Sequence, residues 1–203
     1  MNTLAKELNL NLKSHKLKEL CNVISYLSIM TIMKNNQLSP LHKKPIFRPV
    51  ENGLELSTSL LYKAKLWFDL VKETEPFADN ITEIYELDFM KDKKGDGLGF
   101  FSTPDDISNL IIKLQNINKE RKGEIYDMCC GTGSLCLASL RSDHNNSYML
   151  NDIDELMTSI SAMQILSNIA THKVYPKCLT ITNSNALLDY KNNHLFLDVH
   201  FKQ

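Results

Sequence analysis

The sequence predicts an α/β protein, a sheet with parallel strands and helices on its faces, preceded by an α-helical region. Two observations carry this. From Pro104 onward, short strand-like runs alternate with stretches of helical periodicity, the pattern of βαβ units. Before residue 100 the apolar residues recur at helical spacing only. A third feature fixes where the chemistry sits: a glycine turn, Gly131-Thr-Gly133, stands between the first strand-like run and the helix after it.

Taken in order, Leu4, Leu8, Leu12, Leu17, Leu20, Val23, Ile24, Leu27 and Met30 give residues 3–33 one or two amphipathic helices. Pro40, Pro45 and Pro49 then mark an irregular stretch, the best candidate for a linker. Ser57 to Lys72 returns to helix through Leu60, Leu61, Ala64, Trp67, Phe68 and Val71, and Asp79 to Met90 forms another. The charged turn from Lys91 to Gly97 ends it. A helix over 104–117 leads to a strand at 124–128, the glycine turn, and a helix through Leu140. A strand at 148–151, a helix at 153–169, a strand at 179–182 and an apolar run at 195–201 complete the chain. This divides the sequence into a basic helical region (1–50), a helical lead-in (51–98) and a partial α/β domain (99–203).

Composition narrows the class. At 203 residues, 43% apolar and 23% charged, the chain suits one soluble domain with an appendage rather than a disordered protein. The most apolar stretch, Cys21 to Met33, is broken by Asn22, Ser25, Ser28 and Thr31, so no membrane span is expected. The start of the chain lacks the layout of a signal peptide. Five cysteines make no even disulfide framework, and none has zinc-ligand spacing, so no metal is expected and a cytoplasmic location is the simplest home. Net charge is −1, but residues 1–50 carry eight Lys or Arg against two Glu, a surplus of +6 on an otherwise acidic body. That surplus is either a basic appendage or a solvated helical surface.

The chemistry concentrates at Asp127-Met-Cys-Cys-Gly-Thr-Gly133. A dinucleotide loop would need a third glycine at position 136, which is Cys. An acid followed by Gly-x-Gly suits S-adenosylmethionine instead, whose ammonium favours a carboxylate. A second acid at the end of the next strand, Asp152, lies near the offset at which such folds meet ribose hydroxyls. Asp154 competes for that role, or caps the following helix.

These residues resemble the cofactor loop of N6-adenine DNA methyltransferases of the type I restriction-modification kind, which typically reads Asp-Pro-Cys-Cys-Gly-Thr-Gly. Gly99-Phe-Phe-Ser-Thr-Pro104 is similar to that family's Gly-Gln-Phe-Phe-Thr-Pro segment, and Asp79-Asn-Ile-Thr-Glu-Ile-Tyr-Glu86 to its preceding helix. Ile181-Thr-Asn-Ser-Asn-Ala-Leu187 resembles its Gly-Asp-x-Leu segment. The resemblance implies a Rossmann-like S-adenosylmethionine-dependent methyltransferase fold with an incomplete sheet. It implies that Asp127 holds the methionine ammonium, that Gly131 and Gly133 admit the cofactor to the backbone, and that Asp152 takes the ribose hydroxyls. Thr103 would hydrogen-bond the cofactor carboxylate, Phe101 would pack on the cofactor or in the core, and Asn185 would stand for the acid that contacts adenine. Cys129 and Cys130 read as small packing residues.

The family catalyses with Asn-Pro-Pro-Phe or Asn-Pro-Pro-Tyr, and no Asn-Pro-Pro occurs in these 203 residues. Leu197 to Gln203 reads like the strand before that segment, so the expectation is a chain that stops short of it, with no catalytic residue of its own. Three functions follow: the cofactor-binding part of an adenine-N6 DNA methyltransferase, a non-catalytic or decoy subunit of a modification complex, or a methyltransferase for another substrate. The expected partners are DNA through a complex, and a protein partner or second copy, with no membrane.

Overall fold

A computed structural model describes residues 14–40, 44–81, 103–115, 123–188 and 194–202. In chain order the elements are α1 (Ser14–Lys34), β1 (Ile46–Phe47), α2 (Arg48–Glu51), α3 (Thr58–Glu73), α4 (Asp105–Gln115), β2 (Glu124–Asp127), α5 (Ser134–Ser142), β3 (Ser147–Asp152), α6 (Glu155–His172), β4 (Cys178–Asn183) and β5 (Leu195–His200). Most of the helix expected over Asp79–Met90, the charged turn at 91–97 and Phe101 lie outside the described residues.

The five strands form one sheet in the order β1-β5-β4-β3-β2. β2, β3 and β4 run parallel, with Asp127 beside Leu150 and Asp152 beside Asn183, so their C-terminal ends open on one edge of the molecule. The fifth strand departs from the βαβ pattern: β5 returns antiparallel along β4, opposite the β2 side of the sheet. Eleven residues separate β4 from β5, fewer than a crossover to a parallel strand needs, which favours the antiparallel pairing. Residues 46–51, expected to be irregular, instead hold β1 and α2; Ile46 pairs with Asp198 and Phe47 with Leu197. Pro49 in the first turn of α2 is compatible with helix, because a helix start needs no N–H there.

Alternation along the strands sends Tyr148, Leu150, Leu179, Ile181, Leu197 and Val199 to the buried face. Their neighbours Thr180, Asp198 and His200 are half-buried on the other, where the Thr180 hydroxyl donates to Asp198 at 2.8 Å. α6 lies between this sheet and a layer made by α1 and α3, and every residue from Leu156 to Ala170 is buried. Its sequence had signalled this: the 16 residues from Leu156 to Thr171 contain no charge. On α1, Leu17, Leu20, Val23 and Ile24 face inward as their spacing predicts, whereas Met30 is exposed. The Trp67 indole of α3 donates to Ser167 of α6 at 2.9 Å, satisfying both buried groups. Lys18 and Arg48 flank Glu155 at 3.0 and 3.7 Å and tie α1 and α2 to the start of α6. Among the described residues, no helix is long and apolar enough to cross a membrane.

Buried Asn151 holds the open edge of the sheet together. Its amide nitrogen donates to the carbonyls of Met128 (3.2 Å) and Ser184 (3.0 Å), and its oxygen accepts from the hydroxyls of Thr182 and Ser184, both at 2.8 Å. One side chain therefore stitches the ends of β2, β3 and β4. Replacing Asn151 with Ala should cost about 2–4 kcal/mol, because several buried polar groups lose their partner at once; a urea midpoint lowered at unchanged slope is the expected result.

Candidate functional site

The chain leaves β2 at Asp127 and turns back through residues 128–133 to enter α5. Gly131 and Gly133 have φ of +53° and +92°, left-handed conformations that ordinary side chains resist. At Gly133 a Cβ would also stand 3.2 Å from the Cβ of Ser161 on α6. Its glycine therefore serves the turn and the close approach of α6.

Asp152 closes the loop from the neighbouring strand. Its Oδ2 accepts from the Gly131 N–H at 2.9 Å and its Oδ1 from the Asp154 N–H at 2.9 Å. The Cys130 N–H reaches the Asn151 carbonyl at 2.9 Å. Asp154 is the N-cap of α6, accepting from the Leu156 N–H at 2.8 Å. The two acids that competed in sequence thus stand apart in structure: one caps a helix, the other faces the glycine loop.

Asp127 stands at the start of the glycine turn. Its Oδ1 accepts from the Cys129 N–H at 3.3 Å, while its Oδ2 is buried with no hydrogen-bond partner among the described residues. Burial raises its pKa, the Cys129 N–H opposes the shift, and the nearby Asp152 carboxylate adds to it. An unpartnered carboxylate oxygen beside a glycine loop is suited to a cationic ligand group.

The remaining expected residues fall in different places. Asn185 accepts from the N–H groups of Leu187 and Leu188 at 3.0 and 3.2 Å, so its amide oxygen holds the turn after β4. Thr103 is half-buried just before α4, and among the described residues it takes no part in the hydrogen bonds joining Asp127, Gly131 and Asp152. Cys130 is buried, 3.7 Å from the Ser161 hydroxyl, and burial pushes its thiol up; Cys129 is exposed, so packing accounts for only one of the pair. Sequence reasoning missed Asn151 and Gln164. The signal was available for Gln164, as a polar residue inside the uncharged run of α6.

Asp127 and Asp152 end neighbouring parallel strands on either side of the glycine loop, at the strand ends where open α/β sheets commonly take their ligands. The chain belongs to the N-6 DNA Methylase family, whose model matches residues 77–199. Among solved structures it is similar to a Listeria monocytogenes protein assigned to the class I S-adenosylmethionine-dependent methyltransferases. Identity is 18% and the TM-score 0.44, over 86% of this chain and 55% of that one, so the chain spans about half that protein's length. No curated protein matches it.

Two predictions follow from the loop. Gly133→Ala, strained in backbone and crowded by Ser161, should destabilise the fold by ~1–3 kcal/mol in chemical denaturation. Because the folded Asp127 carboxyl titrates above its unfolded value, its contribution to stability is present at low pH and is lost as pH rises through the folded value. Asp127→Asn should therefore raise the neutral-pH Tm, by about 2–4 °C per kcal/mol gained in a chain this size. Melting curves should show that gain vanish below the ordinary carboxylate range.

Proposed function

We propose that this chain is the S-adenosylmethionine-binding portion of an adenine-N6 DNA methyltransferase, inactive as an isolated chain. The observation that carries the reading is the Oδ2 of Asp127, buried beside the glycine loop with no hydrogen-bond partner among the described residues. The donor set fits the cofactor. Asp127 offers a carboxylate oxygen to an ammonium group, and Asp152, half-buried, keeps lone pairs free on oxygens that each accept one backbone N–H. Asn185 shapes the turn beside that cleft. When bound, S-adenosylmethionine supplies an activated methyl group.

Inactivity rests on the residues that receive the methyl acceptor. Positioning supplies much of a transfer rate, and these 203 residues contain no Asn-Pro-Pro to orient an adenine amine. In this reading the +6 segment lies along DNA phosphates within a larger restriction-modification complex in the cytoplasm, and a protein partner or second copy completes the site. The missing segment favours one further reading, a non-catalytic or decoy subunit that binds the cofactor and assembles with modification proteins.

Calorimetric titration with S-adenosylmethionine tests the proposal. Saturable binding is expected, weakened about 10- to 100-fold in Asp127→Ala, the effect of losing ~1.5–3 kcal/mol of charge-assisted hydrogen bonding. Binding should also weaken as pH falls through the raised Asp127 value, since the protonated acid loses its attraction for an ammonium. Labelled methyl transfer to DNA should stay at the no-protein level. A folded wild-type chain that fails to bind refutes the reading, and robust transfer by the chain alone refutes its inactivity.

A further inference from the structure

Residues 77–81 lie far from the cofactor loop in sequence and hold it directly in space. Phe77 is buried against the sheet-side core and Ile81 in the layer between α6, α1 and α3, so both ends of the segment are anchored. Phe77 has φ +60°, unusual for an aromatic residue, and its N–H donates to the buried Asn168 of α6 at 2.7 Å. Between the anchors, Asp79 aims both carboxylate oxygens at the loop and the helix beneath it. Oδ2 accepts from the hydroxyl of Ser134, the first residue of α5, at 2.5 Å. Oδ1 accepts from the amide of Gln164 at 3.1 Å and from the Ile81 N–H at 3.3 Å.

Gln164 completes the arrangement. Its side-chain nitrogen also donates to the Thr132 carbonyl at 3.0 Å, and its oxygen accepts from the Asn80 N–H at 3.0 Å. A fully buried amide thus grips the segment and the second half of the glycine loop at the same time. Glutamate there would face two acceptors with acceptors, and asparagine is a methylene too short. Two clamps therefore hold the loop: Asp152 takes the Gly131 N–H from the β3 side, and Asp79 with Gln164 takes Thr132 and Ser134 from the α6 side.

We infer that Asp79 and Gln164 are positioning residues that pre-organise the glycine loop for its cofactor. Neither belongs to the set of residues that would touch the ligand. Their contribution is to hold Thr132, Gly133 and Ser134 in one geometry before binding, which removes an ordering cost from the association. A carboxylate facing the first turn of α5 is also favoured by the helix dipole. The inference rests on the S-adenosylmethionine reading above, but half of its test does not.

The variants are Asp79→Ala, Ser134→Ala and their double, with Asn168→Ala as comparator because Asn168 holds Phe77 and does not reach the loop. In the ligand-free protein, amide exchange at residues 131–135 should speed about tenfold in Asp79→Ala and stay within twofold in Asn168→Ala at matched stability. In titrations with S-adenosylmethionine, Asp79→Ala and Ser134→Ala should each weaken binding about tenfold, and the double by less than the two effects combined, since both remove the Asp79–Ser134 bond while Asp79→Ala also frees Gln164. Asn168→Ala should lower Tm while keeping Kd within twofold. Kd changes that track Tm alike in all variants overturn the inference, and so does fully additive weakening in the double. If the wild-type chain binds no S-adenosylmethionine, the functional reading fails by itself; loop exchange unchanged in Asp79→Ala then overturns the positioning role independently.

Discussion

The structure depends on one constraint: α6 is buried on every side, and polar groups along it must find partners inside the protein. An amphipathic helix would have turned such groups to water. Here Ser167 takes the Trp67 indole, Asn168 takes the Phe77 N–H, and Gln164 takes Asp79, Asn80 and Thr132. The partners lie on three segments, so the need to satisfy one helix fixes the registry of α3, residues 77–81 and the glycine loop together. A buried polar network in which every member is paired specifies a single arrangement more sharply than apolar packing does.

The same logic explains why the cleft lies where it does. Backbone groups at the ends of β2 and β4 would be left over once the ladder stops, and Asn151 satisfies two of them. Asp152 does likewise for the loop N–H groups. At the mouth of the glycine turn, the Oδ2 of Asp127 has no partner among the described residues. Buried in that way, the oxygen opposes the stability of the free protein, a cost that a cation beside it would relieve.

Much of this was legible in the sequence, and the failures have physical causes. β2, the glycine turn, β3 and α6 were readable because their periodicity and turn chemistry agree with their final environments. Residues 46–51 were not, because a two-residue strand owes its existence to β5, about 150 positions away. The direction of β5 was equally hidden: an apolar run reads the same whether it pairs parallel or antiparallel. Phe101 stands outside the described residues, and Asn185 shows how a residue matching a motif can spend its hydrogen bonds on its own turn. Gln164 stood out as a polar residue in an uncharged run and Asp79 opened a recognised motif, but their pairing was hidden, since it joins three segments whose spacing only the fold sets.

The pairing of β1 with β5, together with the bridge between Leu38 and Phe201, bears on how the chain acquires its shape. Helices α1 and α3 can form early, but Ile29, Ile32 and Phe47 share a core with Phe196, Leu197, Val199 and Phe201. On a ribosome that apolar surface emerges about 150 residues before its natural cover exists. Folding of this kind is slow, dominated by contacts between distant positions, and its half-made forms expose adhesive surface. The architecture therefore ties the yield of correctly folded protein to whatever shields the early helices during synthesis.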